Sequence, residues 1–503
     1  METSFSILLT AGVCAPFLCA ALMALFWPCL GEKSARSLSV AFSGISLASA
    51  LVLWGAYMAN YMVNIGFAFV TSEFISGAGI PPMGLNGVSM PMFAMAAIVG
   101  FAAVLWAAKS DIKNPRLYFL LLMVMQGGLM GAFASTNLLW MYMFHEFALV
   151  PTFIAMSIWG GAGKRMAAMQ MAVYLTLGAL VSLVGIIAIY VLTGAASFGL
   201  QDIVLAMASV PISAFWQYCV FALLLFGLGT LVSLFPFHTW APRTYSAAPT
   251  SFAMLHAGVL KKFGLYVLIQ VAVPLLPAGC ADWSYVMAVL ALFNVVYIGL
   301  VTMAQRDLKM MVSYSSVAHM GLCFLGIASM SVLGVGGAVL LMFGHGLSVA
   351  LLFMLSNAIV NRTGEWNMFK MGGLYKQTPV LAGFFIAATL ASLGLPGFAN
   401  FWGEFSILMS LWSFSPAICA VAATGIIISA IYGLRAVANI FMGEEPTKEL
   451  EPKFSGICDL TALEKIPAVI LLAALLFVGF YPKSITQPLD SDLSIVPAYN
   501  QSK

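Results

Sequence analysis

Hydrophobic positions along this chain do not alternate with polar ones. They run continuously, in stretches broken by short polar segments. A helix needs about 20 apolar residues to cross the hydrocarbon core of a bilayer. Strands of a membrane barrel would alternate with a period of two, so that architecture is excluded. The pattern predicts an all-α polytopic membrane protein of about fourteen transmembrane helices. They fall at 6–29, 37–60, 85–107, 117–134, 138–159, 168–193, 215–240, 249–275, 284–304, 310–330, 334–360, 378–411, 414–441 and 462–481, numbered here as spans 1 to 14.

The basic residues of the loops support that count independently. Odd-numbered loops carry Lys33 and Arg36; Lys109, Lys113 and Arg116; Lys164 and Arg165; Arg243; Arg306 and Lys309; Arg362, Lys370 and Lys376; and Lys448, Lys453 and Lys465. Even-numbered loops carry none and hold lone acids such as Glu73, Asp202 and Asp282. Loops rich in Lys and Arg stay cytoplasmic, so both termini are predicted on the opposite face. The N-terminus lacks the basic region of a signal peptide, and the first run is expected to stay as a helix.

Composition sharpens the class. Apolar residues make up 62% of the 503 positions and charged ones 8%, against roughly 45–50% and about 25% in soluble domains. A soluble enzyme and a disordered chain are both excluded. The net charge of +3 is too small for a nucleic-acid-binding footprint. Eight cysteines (14, 19, 29, 219, 280, 323, 419, 458) sit singly, which reads as small buried hydrophobes rather than a metal cluster or disulfide framework.

The candidate chemistry lies in the few polar groups inside the apolar runs. Apart from Glu464 and Lys465 at the edge of span 14, the only basic residues within spans are Lys261, Lys262 and Arg435, and the only acids clearly inside the membrane are Glu146 and Glu404. All five histidines (145, 238, 256, 319, 345) lie in or at the edges of spans. A charge at mid-bilayer costs about 2.5–3.5 kcal/mol on insertion scales, so such residues mark function unless a structural ion pair or snorkelling explains them. Carboxylate, amine and imidazole groups in a dry interior set one another's proton affinity, which points to a proton or cation path. It gives little support to an organic-substrate pocket.

Two spans are interrupted: the seventh at Leu-Phe-Pro-Phe-His-Thr-Trp-Ala-Pro (234–242) and the twelfth at Ser-Leu-Gly-Leu-Pro-Gly-Phe-Ala-Asn-Phe-Trp-Gly-Glu (392–404). Broken helices at membrane depth are tolerated where protein or a watery cavity satisfies the freed backbone groups. In paired halves they point to repeats around a midplane ion site. An offset of 173 positions relates Glu146 to His319, Leu231 to Glu404 and Lys262 to Arg435. The implied unit is five helices, spans 4–8 and 9–13, and an odd number forces the copies into inverted topology. The expected organisation is a three-helix segment (1–116), a first repeat (117–275), a second repeat (284–441), and a cytoplasmic loop, last helix and tail (442–503). The segment 443–465 reads as a surface loop.

Several long motifs resemble the antiporter-like subunits of complex I. They are Met-Phe-His-Glu-Phe-Ala-Leu-Val-Pro (143–151) with Trp-Gly-Gly (159–161), Phe-Pro-Phe-His-Thr-Trp-Ala-Pro (235–242), Ala-Pro-Thr (248–250) and His-Ala-Gly-Val-Leu-Lys-Lys-Phe-Gly (256–264). Gln-Arg-Asp-Leu-Lys (305–309), Tyr-Ser-Ser-Val-Ala-His-Met-Gly (314–321), Phe-Gly-His-Gly-Leu (343–347) and Gly-Leu-Pro-Gly-Phe-Ala-Asn-Phe-Trp-Gly-Glu-Phe (394–405) complete the set. The glutamate in span 12 favours the chain M (chain 4) branch of NADH–quinone oxidoreductase over the chain L branch, which has lysine there.

The resemblance implies two inverted repeats and proton translocation driven by quinone reduction elsewhere in a bacterial inner-membrane complex. It implies no cofactor in this chain, with NAD, FMN, iron–sulfur clusters and quinone in partner subunits. Those partners would include antiporter-like chains of the L and N types and a small chain of the K type. Glu146 matches the gating glutamate of the fifth helix, Lys262 the central lysine of the eighth and Glu404 the terminal acid of the twelfth. His319 and His345 match relay positions, and His238 matches the histidine at the seventh-helix break. An Mrp-type Na⁺/H⁺ antiporter, a membrane-bound hydrogenase and a structural spacer stay open as alternatives.

The chain departs from the family pattern on one side. The lysine expected four residues before Phe-Pro-Phe-His is Leu231, the sixth-helix lysine is Gln170, and the aspartate expected after the Trp-Ala-Pro motif is Arg243. One extra base, Lys261, stands beside Lys262. Consecutive helical residues point about 100° apart, so Lys261 is expected either to supply the missing charge by facing Glu146 or to snorkel towards a neighbouring subunit.

Overall fold

The structure, a computed structural model, describes residues 2–60, 67–71, 80–443 and 457–500. The loop residues Glu73, Lys448 and Lys453 and most of the 443–465 segment lie outside the described residues. Thirteen of the described helices are long and apolar enough to cross a membrane. The remaining span, the twelfth, is split into Pro379–Ser392 and Ala399–Phe414. Isolated bridges are the only β pairing among the described residues.

Helix ends follow local chemistry. The Asn137 side chain accepts from the Leu139 and Trp140 amides to start span 5, Leu138–Trp159. Asp307 and Ser331 cap span 10 (Leu308–Ala328) and span 11 (Val332–Thr363) in the same way. Thr461 and Glu464 form a capping box on span 14, Ala462–Phe480. Proline stands at the first helical position of span 9 (Pro277–Ala304) and span 13 (Pro416–Phe441), where its missing amide costs nothing.

Burial sorts the spans into a centre and a rim. Every residue in the most apolar stretch of span 11 is buried, whereas only 22% of the equivalent stretch of span 13 is. Spans 3 (Ser89–Lys109), 4 (Pro115–Ala134), 8 (Thr250–Leu275) and 10 are also largely buried. The centre is therefore built from the spans that carry Lys261, Lys262, His319 and His345.

Four features differ from the expectation. Span 7 ends at Val232, eight residues early, because Ser233 turns into the left-handed region at φ 70°. The chain re-forms a short helix at Trp240–Ala247. Spans 8 and 9 contain π-helical turns at His256–Leu260, Leu268–Ala272 and Phe293–Ile298, which apolar periodicity does not reveal. Lys309, expected in a loop, is buried in the first turn of span 10. Its ammonium donates to the Ala248 carbonyl at 2.7 Å and lies over the Trp366 ring. Of the cysteines, Cys29 and Cys458 are exposed rather than buried.

Candidate functional site

The eighth span places the central base. A π turn at His256–Leu260 shifts the backbone pairing from i−4 to i−5, and the Lys261 amide donates to the His256 carbonyl at 3.1 Å. The Lys262 ammonium turns back along its own helix onto the Ala257 carbonyl at 2.5 Å. It meets His345 Nδ1, from span 11, at 2.9 Å. Lys262 is completely buried, so these two contacts replace its hydration.

Lys261 points elsewhere. Its ammonium donates to the Ser316 carbonyl of span 10 at 3.2 Å and sits 5.5 Å from the centre of the Tyr245 ring. It forms no ion pair with Glu146; the ion pair recorded for that carboxylate is with His145 Nδ1 at 3.5 Å. His145 stacks on Phe263 of span 8 at 4.4 Å. His256 packs edge-on against the Tyr245 ring at 5.2 Å, the ring over which Lys261 sits. His145 thus adjoins Glu146, and His256 shares the Tyr245 ring with Lys261. His238, at the break in span 7, stacks on Phe235 at 5.6 Å. Leu231 is buried and carries no charge. Gln170 and Arg243, the other two departures from the family pattern, touch each other at 3.4 Å, and Gln170 donates to Thr239 at 3.3 Å.

On the other side of Lys262, the His345 and His319 rings are 5.4 Å apart. His319 is held between two carbonyls, Nδ1 to Ser315 at 2.7 Å and Nε2 to Ser392 at 2.9 Å. Carbonyl oxygens only accept, and a neutral imidazole donates from one nitrogen. Both contacts are satisfied together only when the ring carries two protons. The Ser392 carbonyl is available because the first half of span 12 ends there.

Glu404, six residues into the second half of span 12, faces the same nitrogen, with Oε1 3.9 Å from His319 Nε2. Gly394, in the break, has φ 67°, and a Cβ there would overlap Glu404 Oε2. Glycine is needed at that point both for its backbone conformation and for the space it leaves.

The structure therefore brings Lys262, His345, His319 and Glu404 into one file; Glu146 pairs with His145, and among the described residues no direct contact joins that pair to Lys261. Arg435 is not part of that file: its guanidinium donates to the Met303 carbonyl and lies over Phe369. Each member can hold or release a proton. Adjacent titratable groups in low dielectric respond to one another's charge.

Sequence reasoning did not single out Asn294. Fully buried in the π turn of span 9, it donates to the Ser233 carbonyl at 2.9 Å and the Val317 carbonyl at 3.1 Å, and accepts from the Phe235 amide at 2.7 Å. It fastens the break in span 7 to spans 9 and 10. The available signal was an uncharged amide in the middle of an otherwise apolar span.

Residues 135–429 match the family described as NADH:quinone oxidoreductase/Mrp antiporter, TM. The chain is 35% identical over 427 residues to the NAD(P)H-quinone oxidoreductase chain 4 1 of Synechococcus sp. (strain JA-3-3Ab), covering 84% of this chain and 80% of that one. It is 32% identical over 403 residues to the NADH-quinone oxidoreductase subunit M of Rickettsia conorii, covering 80% of each. Its fold matches a chain of respiratory complex I from Thermus thermophilus with bound NADH, at a TM-score of 0.83 and 27% identity, over 96% of this chain and 99% of that one. The family match, the two relatives and the shared fold cover most of the length, and the chain belongs to the NADH:quinone oxidoreductase/Mrp antiporter family as a multi-pass, antiporter-like subunit of complex I of the chain 4, or chain M, type.

Proposed function

We propose that this subunit translocates protons through Glu146, His145, His256, Lys261, Lys262, His345, His319 and Glu404, driven by quinone reduction in other subunits. The observation that carries the reading is the succession Lys262–His345–His319–Glu404 across the buried centre. The proton waits on Lys262 or on His319. When one is charged the other's charged form is disfavoured, so charge moves along the file rather than accumulating. His238 and Lys261 tune the input side, where Lys261 takes the part of the base missing at Leu231 and reaches Glu146 through the two imidazoles. The two five-helix groups act as inverted repeats, each with one broken helix beside the file.

In this reading the chain works as part of a translocase and holds no redox centre. NAD, FMN, iron–sulfur clusters and quinone belong to partner subunits. Neighbours of the L, N and K types flank it in a bacterial inner membrane, with both termini on the non-cytoplasmic face.

The test is NADH-driven proton uptake by inverted membrane vesicles carrying the whole complex, with electron transfer to an artificial acceptor as the assembly control. Lys262→Leu and Glu404→Gln are expected to abolish this subunit's contribution, and Lys261→Leu to lower it. Uptake unchanged by Lys262→Leu would sink the proton-path reading. Uptake lost with Lys262→Leu but untouched by Lys261→Leu would remove Lys261 from the path. The buried, uncharged Leu231 favours one other reading, a spacer whose path has closed; all three variants would then be silent.

A further inference from the structure

Glu404 is buried, yet among the described residues no hydrogen bond reaches its carboxylate; His319 at 3.9 Å is its only ion-pair partner. A buried carboxyl without hydrogen bonds is costly and rare. A second group close by is in the same condition. Tyr432, on span 13 and 4% exposed, has a hydroxyl without a hydrogen-bond partner. Ser315 is close to it, but its hydroxyl donates to the Val312 carbonyl at 2.9 Å and makes no hydrogen bond with the phenol.

Both groups line one small cavity of about 20 Å³, together with His319 and Ser429 and walled by Gly299 and Gly425. About 10–15 Å³ of such space holds one water, provided it finds two to four polar partners. The cavity is large enough for one, and Glu404 and Tyr432 supply an acceptor and a donor.

We propose that this cavity is a water site and that Tyr432 is a positioning residue, holding the water against the Glu404 carboxyl. The proposal rests on Glu404 being a member of the proton file. The water gives Glu404 the hydrogen bond that the protein does not, and the phenol hydroxyl decides where that water stands. Small residues at 299 and 425 leave the room, and span 13, a rim helix, supplies the hydroxyl from outside the central file.

The test is difference infrared spectroscopy on the intact complex during NADH oxidation, combined with proton uptake. The carboxyl C=O band of Glu404 is assigned by its loss in Glu404→Gln. Tyr432→Phe keeps the ring and removes the hydroxyl. It is expected to shift that band to higher frequency and to slow uptake about tenfold. Exchange into ¹⁸O-labelled water is expected to shift one water O–H band in the wild type, a band absent from Tyr432→Phe. The wild-type measurement stands even if the variant fails to assemble. A wild type without such a water band, or a Glu404 band unmoved by Tyr432→Phe, overturns the proposal. Normal uptake by Glu404→Gln would instead overturn the proton-path reading beneath it, and the two failures are distinguishable.

Discussion

Replacing Gly394 with alanine puts one methyl group into the break of span 12. The residue has φ 67°, and an L side chain there costs about 1–2 kcal/mol. That is small beside the roughly 5–15 kcal/mol that holds a domain folded. The methyl carbon would stand 2.9 Å from the Glu404 carboxyl carbon and closer still to Oε2, inside the 3.4 Å at which ordinary contact begins. The carboxylate must swing by about 1 Å, and misplacements of that size cost a reacting group about a hundredfold. His319 is already 3.9 Å away, so any outward swing uncouples the pair. Gly394→Ala is expected to assemble and to lower NADH-driven proton uptake ten- to a hundredfold. Gly364→Ala is the control. Its φ is 69° and a Cβ there meets nothing within 4 Å, so the backbone cost is the same and no charged neighbour is touched. If the two variants pump equally well, the argument that Gly394 sets the position of Glu404 is wrong.

Asn294→Leu leaves the Phe235 amide and the Ser233 and Val317 carbonyls without their partner. At about 1–3 kcal/mol for each buried group orphaned, the subunit should melt earlier, as read by temperature-dependent loss of the assembled complex on native gels. His345→Leu removes one of the two partners of the Lys262 ammonium and is expected to reduce proton uptake as severely as Glu404→Gln; a near-normal rate would show that the file bypasses span 11. Arg362→Ala breaks the 2.7 Å pair with Glu464 and the bond to the Cys458 carbonyl. Because the pair is only partly buried, the expected loss is about 1 kcal/mol, seen as a small drop in melting temperature with proton uptake unchanged.

Hydropathy and loop charge were enough to place the spans, because a bilayer imposes a length and a polarity that a sequence must display. The breaks at 233–239 and 393–398 were legible from proline and glycine. The π turns were not: no residue type in 256–260 marks an extra residue per turn, and the Ala257 carbonyl there meets the Lys262 ammonium. The members of the file were legible as rare charges, but their order was not. Lys261 and Lys262 are adjacent in sequence, and only the π turn and the facing spans decide that one meets Ser316 and the other His345. Asn294 and Tyr432 carry no charge and so did not stand out, although each is placed by contacts from three spans or a shared cavity.

The most apolar stretch of span 11 is buried throughout in the folded subunit, yet it is as apolar as spans at the rim, with a mean hydropathy of 2.2. Its final surroundings would accept many more polar side chains than it carries, as His345 and Ser348 demonstrate. The apolar sequence is therefore a passport for biosynthesis. Each helix enters the bilayer before its neighbours close around it, and must be soluble in lipid at that moment. Selection on span 11 acts on its passage through an environment it later leaves, and a polar substitution there is filtered first at insertion and only afterwards at function.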